Sequence, residues 1–309
     1  MTGSRKTAQD TKTMPSTVPE TAIPGPTSHS YFSQRLRLHY VDWGNPSAPP
    51  VLLVHGGRDH CRNWDWVARA LCKDYHVIAP DLRGHGDSQW ITGGTYTTLD
   101  YVYDIAQLVH QLNLAPLRIV SHSMGGNISL RYAGLYPDSV SRLVAIEGLG
   151  PSPEMQAKLK KVEIDDGLRG WINQLRKLSG WQARRYDSLA EAANRMQEAN
   201  PHLSADQALH LTIHGVHQNE DGSYSWKFDN YTRAFPSAGL STQDTSTIHS
   251  KISCPTMLVY GGESWASNPA EDGRADVFQD ARVEVVADAG HWVHHDQLEV
   301  FLGLLRDFL

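Results

Sequence analysis

The stretch "RIVSHSMGGN", residues 118–127, decides how the rest of the chain is read. An apolar run ends here, Ser123 stands alone between His122 and Met124, and two glycines follow. A nucleophile at the end of a sheet strand must be lifted clear of the backbone at a sharp strand-to-helix turn. Such a turn presses together the residues two before and two after the nucleophile, so both must be small. Gly125 fills the later position. Ser121 fills the earlier one, where glycine is usual, and serine is nearly the smallest substitute. The helix that follows can aim its N-terminal amides at a developing oxyanion. A polar turn without chemistry is the weaker reading, because strand, small residues, helix and a histidine near the chain end all agree.

On either side of this stretch, short runs rich in Val, Ile and Leu recur: "PVLLVHGG" (50–57), "HVIAPDLRG" (76–84), "RLVAIEG" (142–148), "TMLVYGG" (256–262) and "VEVVADAG" (283–290). Runs of this kind suit strands buried on both faces of a parallel sheet. "RLHYVDWG" reads as a strand entering a turn. Helix-period segments lie between the runs, among them "TLDYVYDIAQLVHQLN" and the terminal "DQLEVFLGLLRDFL". The alternation predicts an α/β fold, a doubly wound and mostly parallel sheet. Residues 151–240 break it. They lack clear strands, carry capping-box spacing at Ser188…Glu191 and Ser204…Gln207, and read as a helical cap inserted over one end of the sheet. The core is then 29–150 and 241–309.

Residues 1–28 are rich in Thr, Ser and Pro and read as a disordered tail, without the apolar stretch of a secretory signal. The chain has 309 residues, 40% of them hydrophobic and 20% charged, with a formal net charge of −6. This excludes a basic face for nucleic acid or anionic lipid, and no run is long and apolar enough to span a bilayer. Three scattered cysteines, Cys61, Cys72 and Cys254, read as free thiols in a reducing, cytoplasmic compartment.

Four motifs in order, "VLLVHGG", "DLRGHGDS" (81–88), "SHSMGGN" and "DAGHWVHHDQ" (288–297), resemble those of the α/β-hydrolase-fold family over about residues 30–309. The resemblance implies its oxyanion loop, the turn after its fourth strand, its nucleophile elbow and its histidine loop. Ser123 is then the nucleophile and His291 the general base, and the backbone amides of Gly57 and Met124 form the oxyanion hole. Arg58, His60 and Trp64 either line the pocket mouth or start a helix. In the family the triad acid usually follows the seventh strand as Gly-x-x-Asp. Here "YGGESWASNP" puts Ser264 at that position and Glu263 one residue early. Some haloalkane dehalogenases instead place the acid after the sixth strand, before a Pro-x-Pro turn, and Glu147 in "VAIEGLGPSP" resembles that arrangement. Both keep the order Ser, acid, His. A carboxylate closing a buried strand also needs a partner such as His291, so Glu147 is favoured and Glu263 stands second.

His294, His295 and Asp296 beside His291 are residue types that bind metal, but they sit where the terminal helix begins. Asp296 suits a helix cap, and no cluster elsewhere completes a site. No metal and no cofactor are expected. Asp81, Arg83 and His85 read as holding a turn, His122 as buried or pocket-lining, Trp265 and Trp292 as packing within the fold, with packing on substrate the alternative, and Asp165 and Asp166 as solvated. Serine at 123 argues against epoxide hydrolase and haloalkane dehalogenase chemistry, which need an aspartate there. The reading is a serine hydrolase with a covalent acyl-enzyme, a carboxylesterase acting on small esters. Alternatives are a lactonase or carbon–carbon bond hydrolase of the same fold, or a small-ligand receptor that keeps the triad.

Overall fold

The computed structural model describes residues 25–234 and 239–309. The chain enters through two antiparallel strands, β1 (Thr27–Ser33) and β2 (Leu36–Asp42). It then alternates: β3 (Pro50–Val54), α1 (Asp65–Leu71), β4 (His76–Pro80), α2 (Thr98–Gln111), β5 (Leu117–His122), α3 (Met124–Leu135) and β6 (Val140–Ile146). An insertion follows, with helices α4 (Pro153–Leu159), α5 (Ile164–Ser179), α6 (Leu189–Ala199) and α7 (Ala205–Gly215) and the hairpin β7 (Val216–Gln218) and β8 (Tyr224–Trp226). The alternation closes with α8 (Thr242–His249), β9 (Thr256–Gly261), β10 (Ala281–Val286), α9 (Val293–Asp296) and α10 (Leu298–Phe308).

The eight-stranded sheet runs β1-β2-β4-β3-β5-β6-β9-β10. From β4 to β10 every pairing is parallel, while β2 meets β4 antiparallel. Side chains alternate across it, as the pleat requires. Leu52, Ile119, Leu143 and Leu258 pack with Ile105 and Leu108 of α2 and Ile128 of α3 on one face. Val51, Leu53, Val120, Val144 and Val259 pack with Val67 and Leu71 of α1 and Phe301 and Leu305 of α10 on the other. Two covered faces explain why the central strands read as unbroken apolar runs. Edge strand β1 is largely exposed and correspondingly polar, while edge strand β10 is partly buried.

Two expectations change. The sequence reads as a tail through residue 28, yet β1 begins at Thr27 and pairs along its length with β2, from Thr27↔Asp42 to Ser33↔Leu36. An edge strand held by backbone bonds carries little apolar signal. Residues 1–24 of that tail lie outside the described residues. The insertion, helical by its sequence, also contains β7 and β8, which turn through Gly222 at φ 85° and pack Val216 against Tyr186. Of the two capping boxes, the one at Ser204 forms completely. At Ser188 the hydroxyl caps Glu191, but the Glu191 carboxylate takes the N–H of Asp187 instead.

Candidate active site

Strand β5 delivers Ser123 into a turn at φ 51° and ψ −116°, outside the regions comfortable for a side-chain-bearing residue. Such strain costs on the order of 1–3 kcal/mol and survives only where the surroundings fix it. The Ser123 N–H donates to the Ile146 carbonyl at 2.7 Å, and the Ser123 carbonyl accepts from Asn127 N–H at 3.0 Å. At Gly125 a Cβ would overlap the His55 carbonyl oxygen, so no larger residue fits. Ser121 is accommodated because its hydroxyl, fully buried, donates to the Val144 carbonyl on β6 at 2.9 Å. The loop after β3 lies against this turn: a Cβ on Gly56 would come within 3.3 Å of Ser123 Cβ, and one on Gly57 within 3.7 Å of Met124 Sδ. Gly57 thereby lies beside the Met124 side chain, at the start of α3.

Strand β6 delivers Glu147, also at a positive φ of 49°. Its N–H donates to the Val259 carbonyl at 3.0 Å. Its carboxylate is fully buried and well supplied with partners, as a buried charge must be. Oε1 accepts the N–H of Gly261 at 3.0 Å, and Oε2 accepts the Ser264 hydroxyl at 2.8 Å. Oε2 also bonds His291 Nδ1. Glu263 does not join them. Its side chain is 56% exposed, and among the described residues its one close ionic partner is His202 Nε2 at 3.8 Å. The two glutamates that compete in the sequence are thus separated, and Ser264, at the position where the family's usual acid would stand, serves Glu147 as a hydrogen-bond donor.

His291 is held in a loop pressed on the end of β9, where a Cβ on Gly261 would overlap the Gly290 carbonyl oxygen. Asp296 secures that loop by accepting the Gly290 N–H at 2.8 Å. This replaces the helix-capping role expected for it: α10 starts at Leu298 behind Gln297, which makes no side-chain cap. His122 braces the loop from below, donating from Nε2 to the His291 carbonyl at 2.9 Å. Burial and the neighbouring His291 hold the His122 pKa well below its ordinary value, so it stays neutral. Sequence reasoning missed that bracing role, and the position of a histidine beside Ser123 was its only signal.

The flanking residues sort as follows. Trp265 is 80% exposed with its ring 5.1 Å from that of His291, so it is an open aromatic face beside the site and not the packed residue expected. Trp292 is half-buried, its ring 6.3 Å from that of His122. Trp64 is fully buried and stacks on His294 at 4.5 Å, which removes it from any pocket mouth. His60 is buried with Nε2 donating to the Leu211 carbonyl of α7 at 2.9 Å, and Arg58 is exposed at φ 62°. Asp81 accepts the N–H groups of Cys61 and Asp87 at 2.7 and 2.8 Å and pairs with His39, while Arg83 is buried against Asp104. His294 Nε2 bonds Asn63 Oδ1 at 2.6 Å, as a donor to the amide oxygen. Asp165 and Asp166 pair with Arg169 in solvent.

The α/β hydrolase fold model matches residues 49–298, most of the chain. The chain is 26% identical over 294 residues to the esterase Rv0045c of Mycobacterium tuberculosis, covering 94% of this chain and 92% of that protein. It is 28% identical over 276 residues to the sn-1-specific diacylglycerol lipase ABHD11 of Mus musculus, covering 86% of this chain and 82% of the relative. Among solved structures, the thioesterase domain from the curacin biosynthetic pathway superposes with a TM-score of 0.81 at 25% identity, over 92% of this chain and 100% of that one. Parallel sheet, strained serine turn and family match agree, and this chain belongs to the α/β hydrolase fold family.

Proposed function

We propose that the chain is a serine hydrolase that cleaves carboxylic esters of small molecules through Ser123, His291 and Glu147. The observation that carries the reading is the bond from His291 Nδ1 to the buried Glu147 carboxylate, taken with the strained backbone at Ser123. With Nδ1 committed to the carboxylate, Nε2 is the nitrogen left to take the serine proton. Ser123 Oγ attacks the acyl carbonyl as His291 accepts its proton. The N–H groups of Gly57 and Met124 hold the resulting oxyanion. Collapse expels the alcohol, which leaves with the proton from His291, and an acyl-Ser123 ester remains. Water attacks this ester by the same proton route, freeing the acid and restoring Ser123.

Relatives named esterase, lipase and thioesterase support acyl transfer to water as the reaction class. The insertion, residues 153–234, acts in this reading as a cap that selects the acyl and alcohol groups, with Trp265 as an apolar wall. Among the described residues no helix is long and apolar enough to cross a membrane. Free, buried Cys61, Cys72 and Cys254 support work in a reducing, cytoplasmic compartment.

The test is covalent labelling with a fluorophosphonate, followed by turnover on a panel of esters, thioesters, lactones and amides. Parent protein should be labelled and Ser123→Ala should not, with folding unchanged. Esters should turn over fastest. Label retained on Ser123→Ala would sink the nucleophile assignment; labelling without turnover would favour a ligand receptor.

A further inference from the structure

Away from Ser123, the insertion and the core share a second cluster of ligating side chains. His210 and His214 lie one turn apart on α7, and Asp65 opens α1. One ligand atom from each of the three lies within 4.8 Å of the others. Asp65 has a fully buried carboxylate, and His210 Nε2 stands 3.1 Å from its Oδ2. That approach lacks hydrogen-bond geometry, and His210 Nε2 has no hydrogen-bond partner among the described residues. Arg62 supplies the positive charge that Asp65 needs. Its Nε donates to Oδ1 and Oδ2 at 2.9 and 2.8 Å and Nη2 to Oδ2 at 2.6 Å, while Nη1 lies 3.4 Å from His214 Nδ1.

We propose that Asp65, His210 and His214 form a binding site for a divalent transition ion of the zinc class, which displaces the Arg62 guanidinium and ties α7 of the insertion to α1 of the core. Two imidazoles and a carboxylate, with a fourth position open to water, are a donor set that such ions take. A tetrahedral ion with bonds of about 2.0–2.1 Å needs donors roughly 3.3–3.5 Å apart. The His210–Asp65 pair is already near that separation, and the third donor, within 4.8 Å of the other two, needs to close by about 1.5 Å at most, within the reach of a rotation of the His214 side chain. Arg62 is 24% exposed on a flexible stem, so it can turn out into water and leave the ion as the carboxylate's partner. Among the described residues, the other cluster of this kind, His39, Cys61 and Asp81, is fully buried, and Asp81 there is already engaged by His39 and by two backbone N–H groups. Occupancy would also reach the active-site loop. His60, three residues after Gly57, bonds the carbonyl of Leu211, between the two histidine ligands.

The experiment uses the full chain, stripped with a chelator and then titrated with zinc chloride by calorimetry and with cobalt(II) by visible absorption. Parent protein should bind at a single site, with the intense visible bands of four-coordinate cobalt. The double variant His210→Gln/His214→Gln should bind at least about 100-fold more weakly, since even losing an outer-sphere partner costs about 10–100-fold. Arg62→Met should bind at least about tenfold more tightly, because a like charge a few ångströms away is removed. The two histidines are partly exposed, and circular dichroism with melting of the ion-free variants checks that they fold. No binding at millimolar ion, equal affinity in the double variant, or no gain in Arg62→Met would each overturn the proposal.

Discussion

The turns that end β6 and β9 each carry a glutamate, and the two have opposite surroundings. Glu147 leaves β6 at φ 49° with its carboxylate buried among the Gly261 amide, the Ser264 hydroxyl and His291. Glu263 leaves β9 with its side chain 56% exposed and facing His202. The chemistry of the side chain is the same; the backbone direction at the strand end decides which one reaches the histidine. The β9 turn still contributes, because its serine completes the shell around the β6 carboxylate. In the proposed triad the acid stands one strand over, and Ser264, at the position the family's usual acid would hold, supports it.

The contrast can be tested first through packing. A Cβ at Gly148, just after Glu147, would lie 2.7 Å from Gly126 Cα, whereas one at Gly262, in the β9 turn, would lie 3.3 Å from the Val286 carbonyl oxygen. Gly148→Ala should therefore destabilise by about 3 kcal/mol and Gly262→Ala by under about 1 kcal/mol. Denaturant unfolding measures both, and equal losses would show that the β6 turn is not the tighter one.

Acid should act next. Burial holds His295 and His55 neutral in the native state, with pKa values pushed down to about 3, whereas unfolded histidine titrates near 6.5. Between these values the unfolded chain binds protons that the native chain refuses, so stability falls as pH drops below about 6.5. Each such imidazole costs up to about 1.4 kcal/mol per pH unit. Melting temperature should be flat above about pH 7 and fall steeply towards pH 5. A flat profile across that window would mean that these rings are solvated or charged in the native state.

A smaller effect is expected from the supporting serine. Ser264→Ala removes one donor from the Glu147 carboxylate and should lower kcat about tenfold, the scale of one hydrogen bond to a charged group. Its effect should show in kcat and in the pH profile more than in KM. A change confined to KM would make Ser264 a substrate contact.

Most of the sheet was legible because strands buried on both faces have no choice but to be apolar, and "RIVSHSMGGN" and "VLLVHGG" could be little else. β1 was hidden because pairing through the backbone leaves no mark on "TSHSYFS". The hairpin β7–β8 was hidden because its strands are three residues long. Ser123 and His291 stood out as candidates because each has a small residue nearby. Between the two strand-end glutamates the sequence favoured Glu147 only through a buried carboxylate's need for a partner, because the backbone direction that separates them leaves no mark in the sequence. His210 and His214 have helix-face spacing in the sequence, but Asp65 lies far away along the chain and joins them only when α7 docks on α1.

Orientation of His291 by Glu147, and not by Glu263, underlies the whole catalytic reading. Steady-state kcat on a responsive ester, measured for Glu147→Gln and Glu263→Gln side by side, separates the two. Glu147→Gln should lose several powers of ten, the usual loss when the orienting carboxylate goes, with labelling by fluorophosphonate slowed in parallel. Glu263→Gln should stay within about threefold of the parent, as expected for an exposed ion pair. A dead Glu263→Gln beside an active Glu147→Gln would reverse the assignment of the acid.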